Sequence, residues 1–203
     1  MWYNIFFKFI LVGLLTVLAG EFQVNVLVFG KEIDEYFSVL LIYAFLLALM
    51  YLFGKFLEKK VSPKRVDVIY YITAGLFGLA LEWFIIGNAP WAGSGAIQAG
   101  MFAWWSAVFL IPRIFTDTRD ALVTSLTRKI FVLLLIYSVV STLVVAIVSA
   151  DLRPALAGVM IALAYIIINF QFVSYLGRNG FSLTFARIFM WFLACAGIVG
   201  LIM

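Results

Sequence analysis

The chain has no histidine and a single cysteine, Cys195. An intrachain disulfide and a paired-cysteine redox centre are therefore impossible. Haem held through histidine, or zinc held by histidine and cysteine, would lack its usual ligands. Any proton relay has to use carboxylates, tyrosines or water. The residues present call for no cofactor and no metal. Charge is scarce too: 12% of the chain is Asp, Glu, Lys or Arg, against about 25% in an ordinary soluble domain. The formal net charge of +4 does not point to nucleic acid, because the placement of the basic residues explains it better.

What fills the chain is apolar. Hydrophobic residues make up 66% of it and the mean hydropathy is +1.15. Soluble domains have roughly 45–50% apolar residues. No soluble fold can hide this much apolar surface, so lipid must be part of the solvent. A membrane span takes about 20 mostly apolar residues, and 203 residues allow about seven with short loops. The expected fold is all-α: a polytopic helical bundle forming one transmembrane domain over 1–203. The apolar runs place spans at 3–29, 36–56, 67–89, 96–113, 129–150, 154–176 and 183–203. The opening run through Lys8 leads into a long apolar segment without a small-residue cleavage site, as a retained first helix does.

Basic residues fix the expected orientation. With the N-terminus in the cytoplasm, inside segments carry Lys8, Lys55, Lys59, Lys60, Lys64, Arg65, Arg113, Arg119, Arg128, Lys129, Arg178 and Arg187. Outside segments carry Lys31 and Arg153 alone. Twelve against two is a strong positive-inside bias, and it puts the C-terminus outside. Trp2 at the inner edge, and Trp83 and Trp91 at the outer edge, agree with it. A bacterial cytoplasmic (inner) membrane is the expected location, with membrane lipids as the first partner.

Between the spans, Ser62-Pro63 breaks the helix. The stretch 115–128 alternates charged and apolar residues and reads as a short cytoplasmic surface helix. The loop 89–95 is uncharged and suits the outer interface. Leu18-Ala19-Gly20-Glu21-Phe22 resembles Leu79-Ala80-Leu81-Glu82-Trp83. Such a match suggests duplication of a two-helix unit.

Ionisable groups inside spans are costly, at about 2.5–3.5 kcal/mol for a central Asp, Lys or Arg. Glu21 and Glu82 are therefore the leading site candidates. Asn25 lies one turn beyond Glu21. Glu82 shares a face with Tyr71, Gly75 and Gly78, and glycines let a neighbouring helix come close. Asn88 and Gln98 fall near the same level. These five residues are the expected polar chamber for a small cation, a proton or a polar head group. Two carboxylates in one apolar pocket rarely ionise together, so one of them can carry an exchangeable proton. Arg113, Asp117, Asn169 and Arg187 form a second polar set at the cytoplasmic end. Trp104-Trp105 sits mid-span, where interfacial anchoring cannot explain it. Trp105 can wall a ligand pocket, and packing is the simpler reading. Ala194, Ala196, Gly197 and Gly200 make span seven a helix-packing surface, within the bundle or against a second copy or a partner subunit.

A small transporter or channel built around the two glutamates fits this pattern best. A non-catalytic subunit of a larger membrane complex is the second reading. A membrane enzyme acting on a lipid or polyprenyl phosphate, with Arg113, Asp117 and Arg119 converging on the phosphate, is the third. No metal motif, phosphate-cradling glycine loop or nucleophile elbow supports the last.

Overall fold

A computed structural model describes residues 2–92, 98–116, 121–160 and 163. All regular structure among them is helical. Helix α1 covers Trp2–Glu21 and continues as a π-helix over Phe22–Val28. Helix α2 covers Ile33–Lys60. Helix α3 covers Pro63–Leu81 and also continues as a π-helix, over Glu82–Ile86. Helices α4 and α5 cover Gln98–Thr116 and Ala121–Ile147. Residues 153–160 are helical as well. Span seven lies outside the described residues.

Three segments are long and apolar enough to cross a membrane: Asn4–Val28, Ile33–Lys60 and Arg65–Ile86. Their apolar side chains stay open in large numbers, among them Leu41, Phe45, Phe84 and Ile85. In water such a surface would drive association; in lipid it is the expected exterior. The chain thus has the helices of an integral membrane protein.

The ends of these helices follow from local chemistry. Helix α2 runs three residues earlier and four later than the apolar run 36–56 suggests. Asp34 and Glu35 fall in its first turn and Lys59 and Lys60 in its last, where each sign suits the helix dipole. It stops before Ser62, and Pro63 opens α3. Proline is favoured there because its missing N–H has no helical partner to lose. Of the surface helix expected over 115–128, residues 115 and 116 end α4 and 117–120 lie outside the described residues. Residues 121–128 form the first turns of α5. No glycine or proline interrupts 121–147, so nothing divides the turns at 121–128 from the apolar run that follows.

The chain gathers into two compact units, Met1–Leu52 with Ile111–Ala164, and Phe53–Leu110 with Tyr165–Met203. In the first, α1 packs on α2 and α5. Phe6 and Phe9 meet Tyr51 edge-on, with ring centroids 5.2 and 5.3 Å away. Gly13 makes room for Leu47, whose methyls occupy the space a Cβ there would need. The Tyr36 hydroxyl donates to the Leu18 carbonyl at 2.8 Å. Arg153 donates to the carbonyls of Ala146 and Val148, so a cation closes the C-terminal end of α5.

In the second unit α3 packs on α4 through its glycines. A Cβ at Gly75 would meet Phe102 and Ser106, and one at Gly78 would fall within the Trp105 side chain. The Ser106 hydroxyl reaches the Tyr71 carbonyl at 3.1 Å, and Phe109 stacks on Trp105 with centroids 5.7 Å apart. Overpacking such a contact costs about 1–3 kcal/mol. Gly78→Ala is therefore expected to lower the thermal midpoint of the detergent-solubilised protein by about 2–4 °C per kcal/mol. An unchanged midpoint would mean that the indole does not rest on Gly78.

Candidate functional site

Both glutamates sit where an α-helix widens into a π-helix. Glu21 is the last residue of α1 before the π segment, and Glu82 is the first residue of the other. π turns inside α-helices are rare and concentrate at functional sites. The second is capped by Gly87 at φ 94°, and the first is followed, after Phe29, by Gly30 at φ 66°; both glycines lie in the left-handed region. Glycine adopts that conformation without a Cβ penalty.

In the first unit Glu21 is half-buried and both its oxygens receive donors. The Tyr43 hydroxyl, from α2, donates to Oε1 at 2.6 Å. Asn25 Nδ2 donates to Oε2 at 2.7 Å and to the Glu21 carbonyl at 3.2 Å. An O–H···O distance of this kind is typical of a charge-assisted bond. Such bonds contribute about 1.5–3 kcal/mol each.

In the second unit Glu82 is 9% exposed and is held in the same way by different residues. Trp105 Nε1, from α4, donates to Oε1 at 2.9 Å. Asn88 Nδ2 donates to Oε2 at 2.8 Å. The backbone N–H groups of Gly87 and Asn88 both donate to the Glu82 carbonyl at 2.8 Å. Gln98 completes the set: its Nε2 donates to the Asn88 carbonyl at 2.9 Å, and its Oε1 accepts from Trp83 Nε1. Trp83 in turn meets Trp91 edge-on.

The parallel is close. Each glutamate follows the Leu-Ala-x stretch of the sequence match, and an asparagine touches both its carboxylate and its own carbonyl. An aromatic donor arrives from the next long helix, 22 residues on in one case and 23 in the other. The short sequence match thus marks a repeated local structure.

Of the five residues expected in one chamber, the structure joins Glu21 with Asn25 in the first unit. It joins Glu82 with Asn88 and Gln98 in the second. Arg113 is buried in the last turn of α4. Asp117, Asn169 and Arg187, and with them Arg119 and the small-residue face of span seven, lie outside the described residues.

Sequence reasoning missed Tyr43 and Gln23, and it favoured packing over bonding for Trp105. Trp105 carried a signal, since an indole in mid-span has to place its N–H somewhere. Gln23 carried one as well: an amide in an apolar run has the same need for partners as a carboxylate. It is 2% exposed, and its Nε2 donates to Ser141 Oγ and Thr142 Oγ1 of α5, both at 2.8 Å.

No known protein family, curated protein or solved structure gives a significant match to the chain. The functional reading therefore rests on the geometry alone. Bonds that hold a buried carboxylate should couple energetically. Two cycles test this: Tyr43→Phe with Glu21→Gln, and Trp105→Phe with Glu82→Gln. Each is expected to show about 0.5–3 kcal/mol of non-additivity in unfolding free energy. Strict additivity would mean that the donors and carboxylates do not meet.

Proposed function

We propose that the chain is a small integral-membrane transporter or channel for a small cation, a proton-coupled solute or a cationic head group. The observation that carries this reading is the setting of Glu82. Its carboxylate is buried in a helix apolar enough to span a membrane, and its two oxygens are held by neutral donors, an indole and an amide. When ionised, such a group is oriented but its charge is not neutralised by those donors. A cation beside that charge is attracted more strongly than it would be in water, because the surroundings screen it less. Glu21, which accepts from a phenol and an amide, is the second carboxylate of the proposal.

The wider arrangement belongs to the same proposal. The chain crosses the cytoplasmic membrane seven times with its N-terminus inside, so that both glutamates lie toward the outer ends of outward-running spans. In that orientation the sequence positions of Arg113, Asp117, Asn169 and Arg187 fall on the cytoplasmic side. The twelve-to-two distribution of basic residues supports this orientation.

Two measurements test the proposal. In proteoliposomes, Glu21→Gln together with Glu82→Gln is expected to lower proton or alkali-cation flux by at least about 10–100-fold, the worth of a single charge-assisted interaction. Unchanged flux would end the carboxylate mechanism. For the topology, single cysteines are placed at Glu35 and Lys60 in a Cys195→Ser background. A membrane-impermeant thiol reagent is expected to label position 35 in intact cells and position 60 after permeabilisation alone. The reverse pattern would invert the orientation.

A further inference from the structure

Both oxygens of Glu82 meet hydrogens. Oε1 faces Trp105 Nε1 at 2.9 Å and Oε2 faces Asn88 Nδ2 at 2.8 Å. That suits the ionised carboxylate, which only accepts. A proton added to either oxygen would point at a donor, so one of the two neighbours has to change. Trp105 is unable to. Its indole nitrogen donates and never accepts, and its side chain is 3% exposed and lies against Gly78. The Asn88 amide carries an acceptor as well as two hydrogens, and the torsion that turns it over is broad and roughly two-fold. Turning it breaks no backbone contact. The Asn88 N–H stays on the Glu82 carbonyl, and the Asn88 carbonyl stays on Gln98 Nε2. Asn88 is half-buried beside the exposed Gly87, so the NH2 group turned away is not forced into the core.

We propose, on the reading of Glu82 as an ion-binding carboxylate, that it takes a proton on Oε2 and that the Asn88 amide turns over to receive it. The amide then presents its nitrogen to the carboxylate and its oxygen to the carboxylic acid. The covalent bond formed is Oε2–H, and the N–H···Oε2 hydrogen bond is exchanged for Oε2–H···Oδ1. A proton needs no cavity, whereas hard metal cations gather several oxygens. Asn88 is a positioning residue that reads the charge of Glu82. Glu21 is built differently. Asn25 Nδ2 donates to the Glu21 carbonyl as well as to Oε2, so turning Asn25 over would set two oxygens face to face. The neighbour able to reverse there is the Tyr43 hydroxyl, which both donates and accepts. Charged residues of α3 and α4 stand well along their helices from the pair. Lys64, Arg65 and Asp67 lie in α3, the last about 22 Å before Glu82 by helical rise. Tyr70 and Tyr71 are at least eleven residues before Glu82, and Arg113 is eight residues beyond Trp105 in α4.

The test is infrared difference spectroscopy of the full-length protein in detergent as the pH is lowered, with asparagine isotopically labelled at its side-chain carbonyl. Acidification is expected to bring up a carboxylic C=O band and, with the same midpoint, to shift a labelled asparagine band. Glu82→Gln is expected to remove both. In Asn88→Leu, whose side chain neither donates nor accepts, the carboxylic band is expected at higher wavenumber, because its O–H has lost its acceptor. A Glu82 band that rises without the asparagine shift would overturn the proposal. So would one that keeps its wavenumber in Asn88→Leu, or the absence of any Glu82 band while the protein stays folded. If Asn88→Leu does not fold, the labelled spectra of the unaltered protein and of Glu82→Gln still decide. Flux plays no part in these spectra. Unchanged flux in the double glutamate variant would end the transport reading and leave the proton site, whereas an unmoved asparagine band would end the proton site and leave the transport reading.

Discussion

A carboxylate inside an apolar helix has to be given hydrogen-bond donors by its neighbours, and much of this structure is arranged around that requirement. The donors must be close, so the helices that bring them must be close. Trp105 can reach Glu82 because Gly78, one turn before the glutamate, leaves the space its indole occupies. Gly75 does the same for Ser106 and Phe102. A stripe of absent side chains thus puts a polar atom of α4 within 2.9 Å of α3. Without those glycines Glu82 Oε1 would lose its indole donor, and a buried acceptor left unmet is costly.

The two units meet the same requirement with different parts. A phenol serves in one and an indole in the other; Asn25 lies four residues from its glutamate and Asn88 six. What they share is the place of the glutamate at a change of helical period and the left-handed glycine just beyond the wide turn. The carboxylate oxygens and the carbonyl of the same residue are engaged together in both. Side chain and backbone are then fixed by one neighbour, which removes freedom that a lone carboxylate would keep.

Much of this was legible in the sequence. Composition alone implied an all-helical membrane chain, and all regular structure among the described residues is helical, with three membrane-length apolar segments. Ser62-Pro63 marked the break between α2 and α3, and the α-helical spacing of Tyr71, Gly75, Gly78 and Glu82 marked the face on which α4 packs. Spacing arguments failed where the period changed. A π turn has no residue signature, so nothing in the run 21–29 announced that Gln23 would turn to α5 while Glu21 turned to α2. Tyr43 and Trp105 were hard to assign for another reason. Their bonds cross between helices, and a single sequence records which residues are polar but not which of them meet. The C-terminal part of the expected surface helix, 121–128, is continuous with α5, because no helix breaker within 121–147 sets it apart.

The wide turns have a mechanical meaning as well. A π turn holds one residue more than an α turn, so each of these spans carries a stored residue beside its glutamate. Drawing that residue back to the α period lengthens the rest of the helix by about 1.5 Å and rotates it by about 100°. Backbone hydrogen bonds are exchanged one for one, and nothing has to unfold in lipid, where an open N–H is most expensive. The end of each span beyond its glutamate is therefore geared to the carboxylate. Turning it changes which side chains face Glu21 or Glu82, and the glycine hinge at Gly30 or Gly87 takes up the difference.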